Sequence, residues 1–346
     1  MVFDPLRFLL DLMAFYSIYL LLSVSLNLEF GYTGIPNFGK VLFFAGGGFV
    51  VGALATRLGL VLAGMGVPDV DRFRIYNVRL GTMVSRFLAR DPYSALLIFV
   101  SLLVLAVLVS AALGFLASYP AIRLREDYLG MTLVVSGELL RNIGKNYDPL
   151  ICGTLGVFVP DPFASLRGLA RDVGKVAVMM ALALATWYLV ERLVNSPFGR
   201  LLRAIRDNEL AASAMGKDVV RVRMVVLMIG SAIAGLAGAL YAFYSGSVHA
   251  DDYMPIRTFL VWVMVIIGGA GNNLGAALGA LVYVTVEKLI MIFKHSIPAP
   301  FDINYLSYII LGVILILTLM FRPEGLLPEK PGGPVRLLRR RVEPPG

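Results

Sequence analysis

Cysteine and histidine are almost missing from this 346-residue chain, which holds one Cys (Cys152) and two His (His249 and His295). A single thiol excludes an internal disulfide, a Cys-based zinc site and an iron–sulfur cluster, and the two histidines exclude an HExxH-type metal helix. Charge is scarce as well, at 16% of residues against roughly 25% in soluble domains, which argues against a soluble enzyme. What is abundant is apolar: 58% of residues are hydrophobic before 35 glycines are counted, so a solvated disordered chain is excluded too. The formal charge of +8 comes from basic residues set between long apolar runs. That pattern suits an anionic membrane surface better than a nucleic acid.

A bilayer-spanning helix needs about 20 mostly apolar residues, because its backbone must satisfy its own hydrogen bonds where water is missing. Residues 9–28, 38–62, 95–119, 173–194, 224–244, 274–293 and 305–321 qualify, and 128–143 and 258–271 are shorter or glycine-interrupted. The expected fold class is an all-α polytopic membrane protein of about nine helices, within a range of roughly 8–10. The first stretch lacks a small-x-small cleavage site and reads as a retained helix rather than a secretory signal, with Asp11 near its interfacial end. Arg200, Arg203, Arg206, Lys217, Arg221 and Arg223 crowd residues 195–223, and Arg322, Lys330, Arg336, Arg339, Arg340 and Arg341 crowd the tail. Residues 245–255 and 297–304 carry no Arg or Lys, so the basic connection and the tail are expected inside. Counting back from the tail leaves 58–92 outside although it contains Arg72, Arg74, Arg79, Arg86 and Arg90, a conflict with the same rule, and the N-terminal side is left open.

Gly34-Ile-Pro-Asn-Phe-Gly39-Lys40-Val41 matches a phosphate-binding loop until its last position, where Val41 stands in place of the Ser or Thr that would hold Mg²⁺. Lying between two apolar stretches, it reads instead as a helix break, which a membrane tolerates only against protein or a water-lined cavity. A second break runs from Gly268 to Gly275. One interruption in each half points toward an internal repeat with a translocation path at its interface. The candidate lining residues are Gly31, Thr33, Gly34, Asn37, Glu138, Gly268, Gly269, Gly271 and Asn272. The alternative is close helix packing through small residues, which is the reading adopted for residues 46–48 and 234–239. Glu29, Glu138 and Glu287 lie in or near apolar segments, and Glu138 is placed one turn from Arg141, where the two are expected to pair.

Residues 196–216 are polar and helix-patterned, with Pro197 in the first turn, Leu201, Leu202, Ile205, Leu210 and Met215 on one face, and Arg200, Arg203, Arg206 and Asp207 on the other. Such a helix suits either a lipid surface or a groove on another protein, and small Ala211, Ala212 and Gly216 permit close approach.

At this stretch the chain resembles the permeases of the branched-chain amino acid family of ABC importers. Leu210-Ala-Ala-Ser-Ala-Met-Gly216 is similar to the EAAxxxG pattern, with Leu210 where that pattern has Glu and Glu209 one place earlier. Further blocks follow in order: Leu26–Gly34, Arg123–Tyr128, Glu138–Arg141, Ala232–Tyr241, Gly268–Gly271 and Phe321-Arg-Pro-Glu-Gly-Leu-Leu327, and the last together with Arg123–Tyr128 favours the M-type subunit. The resemblance implies a membrane permease domain over residues 1–327, with a coupling helix at about 197–216, followed by a basic Pro/Gly-rich tail at 328–346. It implies a multi-pass protein of a prokaryotic inner membrane with a cytoplasmic C-terminus. The implied partners are a second permease subunit, two ATP-binding cassette ATPases and an extracytoplasmic solute-binding protein, with no nucleic acid involved. The implied coupling residues are Arg203, Arg206, Glu209, Ala211, Ala212 and Gly216. No cofactor, metal or catalytic residue is expected on this chain, since ATP and Mg²⁺ would belong to the ATPases. The implied cargo is branched-chain or other hydrophobic amino acids. Alternatives are urea, amides or simple sugars, or a stand-alone secondary transporter coupled to protons through Glu138 or Glu287. Two departures stand out: residues 58–92 exceed the usual connection, and Cys152 occupies a position where similar permeases tend to have Gly.

Overall fold

A computed structural model describes residues 4–123, 126–293 and 304–329. Helix α1 (Pro5–Leu26) begins where Asp4 accepts from the Leu6 and Arg7 amides and Pro5 fills the first turn, and it continues as a π turn over Asn27–Gly31. There follow α2 (Lys40–Leu62), α3 (Val70–Arg90), α4 (Pro92–Arg123), α5 (Glu126–Asn146), the single turn α6 (Asp148–Ile151), strand β1 (Val157–Phe158) and α7 (Leu169–Val194). Two short helices, α8 (Pro197–Asp207) and α9 (Glu209–Ala214), lead into α10 (Val219–Ser245), β2 (Ser247–Val248), α11 (Ile256–Gly268), α12 (Asn273–Phe293) and α13 (Asn304–Phe321). Six described stretches are long and apolar enough to cross a bilayer: Pro5–Gly31, Lys40–Leu62, Pro92–Tyr119, Leu169–Val194, Val219–Ser245 and Asn273–Ile292. Those six, the shorter apolar helices Ile256–Gly268 and Leu306–Phe321, and α5 correspond one for one to the segments expected from sequence.

The core is α2, α4 and α10, brought close by missing side chains. A Cβ at Gly47 would overlap the Gly235 carbonyl, one at Gly235 would overlap the Ser110 side chain, and one at Gly238 would overlap the Phe44 carbonyl. These small residues let backbones touch, so 46–48 and 234–239 are packing surfaces, as expected. Helix α5 lies along α2 in the same direction, with Gly130 against Phe38, Gly137 against Val41 and Leu42, and Gly144 against Phe49.

The bundle has two distinct ends. At one, α8, followed by α9, packs beside the π turn, where the Arg206 guanidinium donates to the Gly31 carbonyl. At the other, β1 and β2 pair antiparallel, Val157 opposite Val248. The start of α1 lies at the strand end, since Asp11 accepts from Tyr244 at the end of α10 and pairs with Lys288 at 2.6 Å. Asp11 is thus the counter-ion of a nearly buried lysine as well as a helix-end residue.

Residues 58–92 differ most from their reading as a connection. Helix α3 buries Phe73, Asn77, Gly81, Val84 and Leu88, a stripe of helical spacing, against α2 and β1. Gly81 sits under the Phe158 ring and Gly59 under Val84. Two of the arginines near this segment are tied into the fold: Arg57 donates to the Pro149 carbonyl and covers the Phe73 ring, and Arg74 pairs with Asp148 at 2.7 Å. Cys152 is buried in the left-handed region at φ 60, the sole non-glycine residue so placed among those described. That conformation favours glycine, so the Cys noted as a departure at this position sits in a strained backbone.

Candidate functional site

The first break is held by polar side chains deep in the bundle. Lys40 Nζ lies 2.6 Å from Glu29 Oε2, with the two side chains 1% and 0% exposed. Lys40 also donates to Ser25 Oγ at 2.6 Å, Ser25 donates to the Gly230 carbonyl at 2.6 Å, and Asn37 Nδ2 donates to Glu29 Oε2 at 2.8 Å. Trp262 Nε1 donates to the Asn37 carbonyl, and Thr33 Oγ1 to the Leu28 carbonyl. Lys40, the residue that completes the apparent phosphate loop, is therefore consumed by a buried ion pair and faces no solvent. A charge in this setting is retained only with a partner, since taking either ion out of water is expensive.

The second break meets the first. Asn27 Nδ2 donates to Asn273 Oδ1 and Asn27 Oδ1 accepts from the Gly271 amide, both at 2.9 Å. Asn273 Nδ2 in turn donates to Glu191 on α7 at 2.8 Å. The carbonyls left open at the end of α11 are taken by the segment after α13: the Leu326 amide bonds Ile267, and the Leu327 amide bonds Gly268. Gly269 and Gly271 carry φ of 112 and 79, and a Cβ on Gly269 would overlap the Leu327 carbonyl. The Arg-Pro-Glu-Gly block thus serves as a tertiary cap on an interrupted helix. Gly31, Thr33, Asn37, Gly268, Gly269, Gly271 and Asn272 are brought together and buried, Gly34 sits beside Arg206, and Glu138 lies apart on α5.

Residues 197–216 form two helices, not one. Asn208 is extended at φ −158 and its side chain accepts from the Ala211 amide at 3.0 Å, capping α9. Leu202, Ile205 and Ala212 are buried, but Leu210 and Met215, expected on the same face, are 82% and 80% exposed. The break at Asn208 turns α9 relative to α8, so a single helical wheel across both misplaces them. Gly216 adopts φ 74 with open space around it, ending α9 in a left-handed turn that any side chain would strain. Arg203 and Arg206 grip one carboxylate, that of Glu329, at 3.1 and 2.9 Å, and Arg203 lies over the Tyr32 ring. Glu209 pairs with Arg223 at 2.9 Å. Beside these groups an apolar cleft of about 690 Å³ is lined by Pro197, Leu201, Ala204, Ala211 and Met215. Glu329 escaped sequence reasoning because it stands in a Pro/Gly-rich stretch with no periodic pattern.

On α5, Glu138 pairs with Arg141 as its spacing suggested, and Arg141 and Lys145 each reach Asp251 at 2.6 Å. Below them lies a groove of about 670 Å³ lined by Phe38, Tyr128, Met131, Val134, Val135 and Phe259. Glu287 has one buried oxygen without a hydrogen-bond partner, and its neighbour Lys288 pairs with Asp11 instead.

Residues 8–319 match the family model described as branched-chain amino acid transport system / permease component. The chain belongs to that permease family. The permease is 36% identical over 329 residues to a probable branched-chain amino acid transport permease protein, LivM, of Methanocaldococcus jannaschii, covering 92% of this chain and 93% of the relative. It is 29% identical over 248 residues to the high-affinity branched-chain amino acid transport system permease protein LivM of Salmonella typhimurium, covering 65% of this chain and only 56% of that longer relative. A ribose import permease of Bacillus subtilis is more distant, 24% identical over 56% of this chain. Membership and six apolar helices make the permease a multi-pass membrane transport subunit.

Proposed function

We propose that this permease is one of two membrane subunits of an ATP-driven importer for branched-chain or other hydrophobic amino acids, with no catalytic residue of its own. Two cytoplasmic ATPases would bind ATP and Mg²⁺ and engage α8 and α9, while an external solute-binding protein would deliver cargo at the strand end. The observation that carries this reading is the pair Leu210 and Met215, nearly fully exposed beside an apolar cleft. Large apolar side chains so displayed mark a surface that another protein covers. Helix α8, joined to α9 at Asn208, holds the first break through Arg206 and the Gly31 carbonyl, so a push on α9 would reach the interrupted span through α8. In this arrangement α8 and α9 are on the cytoplasmic side of the plasma membrane, and the start of α1 is outside. The cargo assignment follows the family and the relatives named for branched-chain amino acids; the ribose permease is a weaker match.

The test is Leu210→Arg in the full importer reconstituted in vesicles. A charge placed in an apolar contact is expected to release the ATPases on purification and abolish uptake, while the permease still inserts. Normal uptake with the ATPases retained would overturn the assignment. Leu210 is a cleaner probe than Gly216, where any side chain also meets a left-handed backbone.

A further inference from the structure

Helix α5 runs beside the first half of α2, because their glycine contacts run in step from Phe38 to Phe49. Glu138 and Arg141 consequently lie level with the first half of the α2 span, where Asp251, just past β2, meets Arg141. The face that α5 turns away from α2 carries Tyr128, Met131, Val135 and Leu139, all exposed, with exposed Asn142 and the Glu138–Arg141–Asp251–Lys145 cluster beside them. Helix α4 is the contrast: its outward residues Val104, Leu108 and Leu116 are accompanied by no charge between Pro92 and Tyr119.

Lipid suits the α4 face and not the α5 face, since a charged side chain at mid-depth costs about 2.5–3.5 kcal/mol or more against hydrocarbon. Within this subunit the groove against Phe38 and Phe259 is open and Asp251 is 55% exposed, so nothing from the chain itself fills the face. We infer that this face is the permease's wall of the translocation path, and that its ligand is a small apolar zwitterion. Arg141 and Lys145 supply two positive groups, and Glu138 and Asp251 two negative ones, so the cluster has no net charge and can meet both ends of a zwitterion. The Phe38, Met131, Val135 and Phe259 groove passes the apolar side chain. Because the four charged groups already pair with one another, they hold a passing ligand weakly, as a conduit requires.

The class of ligand rests on the function proposed above; the position of the wall does not. Cys152 is buried and is the chain's single thiol, so reporter cysteines can be placed without removing it. In the reconstituted importer, Met131→Cys and Val135→Cys are expected to react with a charged, membrane-impermeant thiosulfonate. Leucine with the binding protein should slow that reaction, by roughly tenfold at about ten times its dissociation constant. Leu108→Cys should react only with a membrane-dissolved maleimide. Reaction of the α5 cysteines with the maleimide alone would make this a lipid face. Inertness to both reagents with cross-linking to the second permease would make it a sealed contact, and either result overturns the inference. Aqueous labelling without protection by leucine would overturn the zwitterion while leaving the wall. Failure of the unsubstituted importer to take up leucine would instead count against the proposed function.

Discussion

The permease carries two sets of charged side chains at membrane depth, and it treats them in opposite ways. Glu29 and Lys40 are sealed inside the first helix break, each within 1% exposure, and tied to Ser25 and Asn37. Glu138, Arg141 and Lys145 face outward from α5 toward Asp251, with the groove open beside them. The residue types are alike and the sequence contexts are both glycine-rich. What separates them is coverage: the first pair is enclosed by α1, α2 and α10 and has become part of the scaffold, whereas the second is left available to whatever meets that face. A membrane charge therefore marks function only after one knows what covers it.

The sharpest way to break this contrast is Lys40→Met, which leaves the Glu29 carboxylate buried and alone. Loss of one partner of a buried pair is expected to cost about 3–5 kcal/mol, seen as a collapse of the unfolding temperature in detergent. The double change Glu29→Leu with Lys40→Met should recover most of that loss. If the single change is harmless, the pair is not the closed scaffold described here.

An intermediate case lies in the segment before α7, at the strand end. Asp161 accepts from Arg171 at 2.7 Å and from the Phe163 amide at 2.9 Å, and pairs with Lys175 at 2.9 Å. Burial alone would raise its carboxyl, but Lys175, the Phe163 amide and Arg171 outweigh it and hold the group below the usual carboxylate range. A depressed folded value means that this contribution is present above the unfolded value and is lost as pH falls through the folded one. Asp161→Asn should lower stability by about 2 kcal/mol at neutral pH, and the difference from the unsubstituted protein should vanish at pH values below the ordinary carboxylate range. A difference independent of pH would show that the charge is not the cause.

The smallest expected effect on stability is that of Glu138→Gln. Its pair with Arg141 is partly exposed, so the change should alter stability by less than about 1 kcal/mol while lowering the rate of uptake. A large loss of stability with unchanged uptake would move Glu138 into the closed class with Glu29.

Much of this architecture was legible in the residues. Length and hydropathy set the helices, glycine clusters located both breaks, and the three-residue spacing joined Glu138 to Arg141. The errors are instructive because each involves something a local pattern does not contain. Leu210 and Met215 faced the wrong way because the Asn208 cap, a single extended residue, divides the helical wheel. The 58–92 segment looked like a loop because its helix is amphipathic and rests on β1 and α2, so it carries no long apolar run. Glu329 gave no signal, since its role depends on two arginines more than 120 positions away.

By itself, then, the sequence determined the membrane class, the apolar helices and the sites where helices must break, because the requirement for internally satisfied backbone in hydrocarbon acts over single stretches of about 20 residues. Only the tertiary structure decided that the two breaks lock onto each other, that Lys40 is a scaffold ion, and that α5 presents an open charged face. Those outcomes depend on which distant side chains arrive within hydrogen-bonding distance, and no period along the chain encodes that.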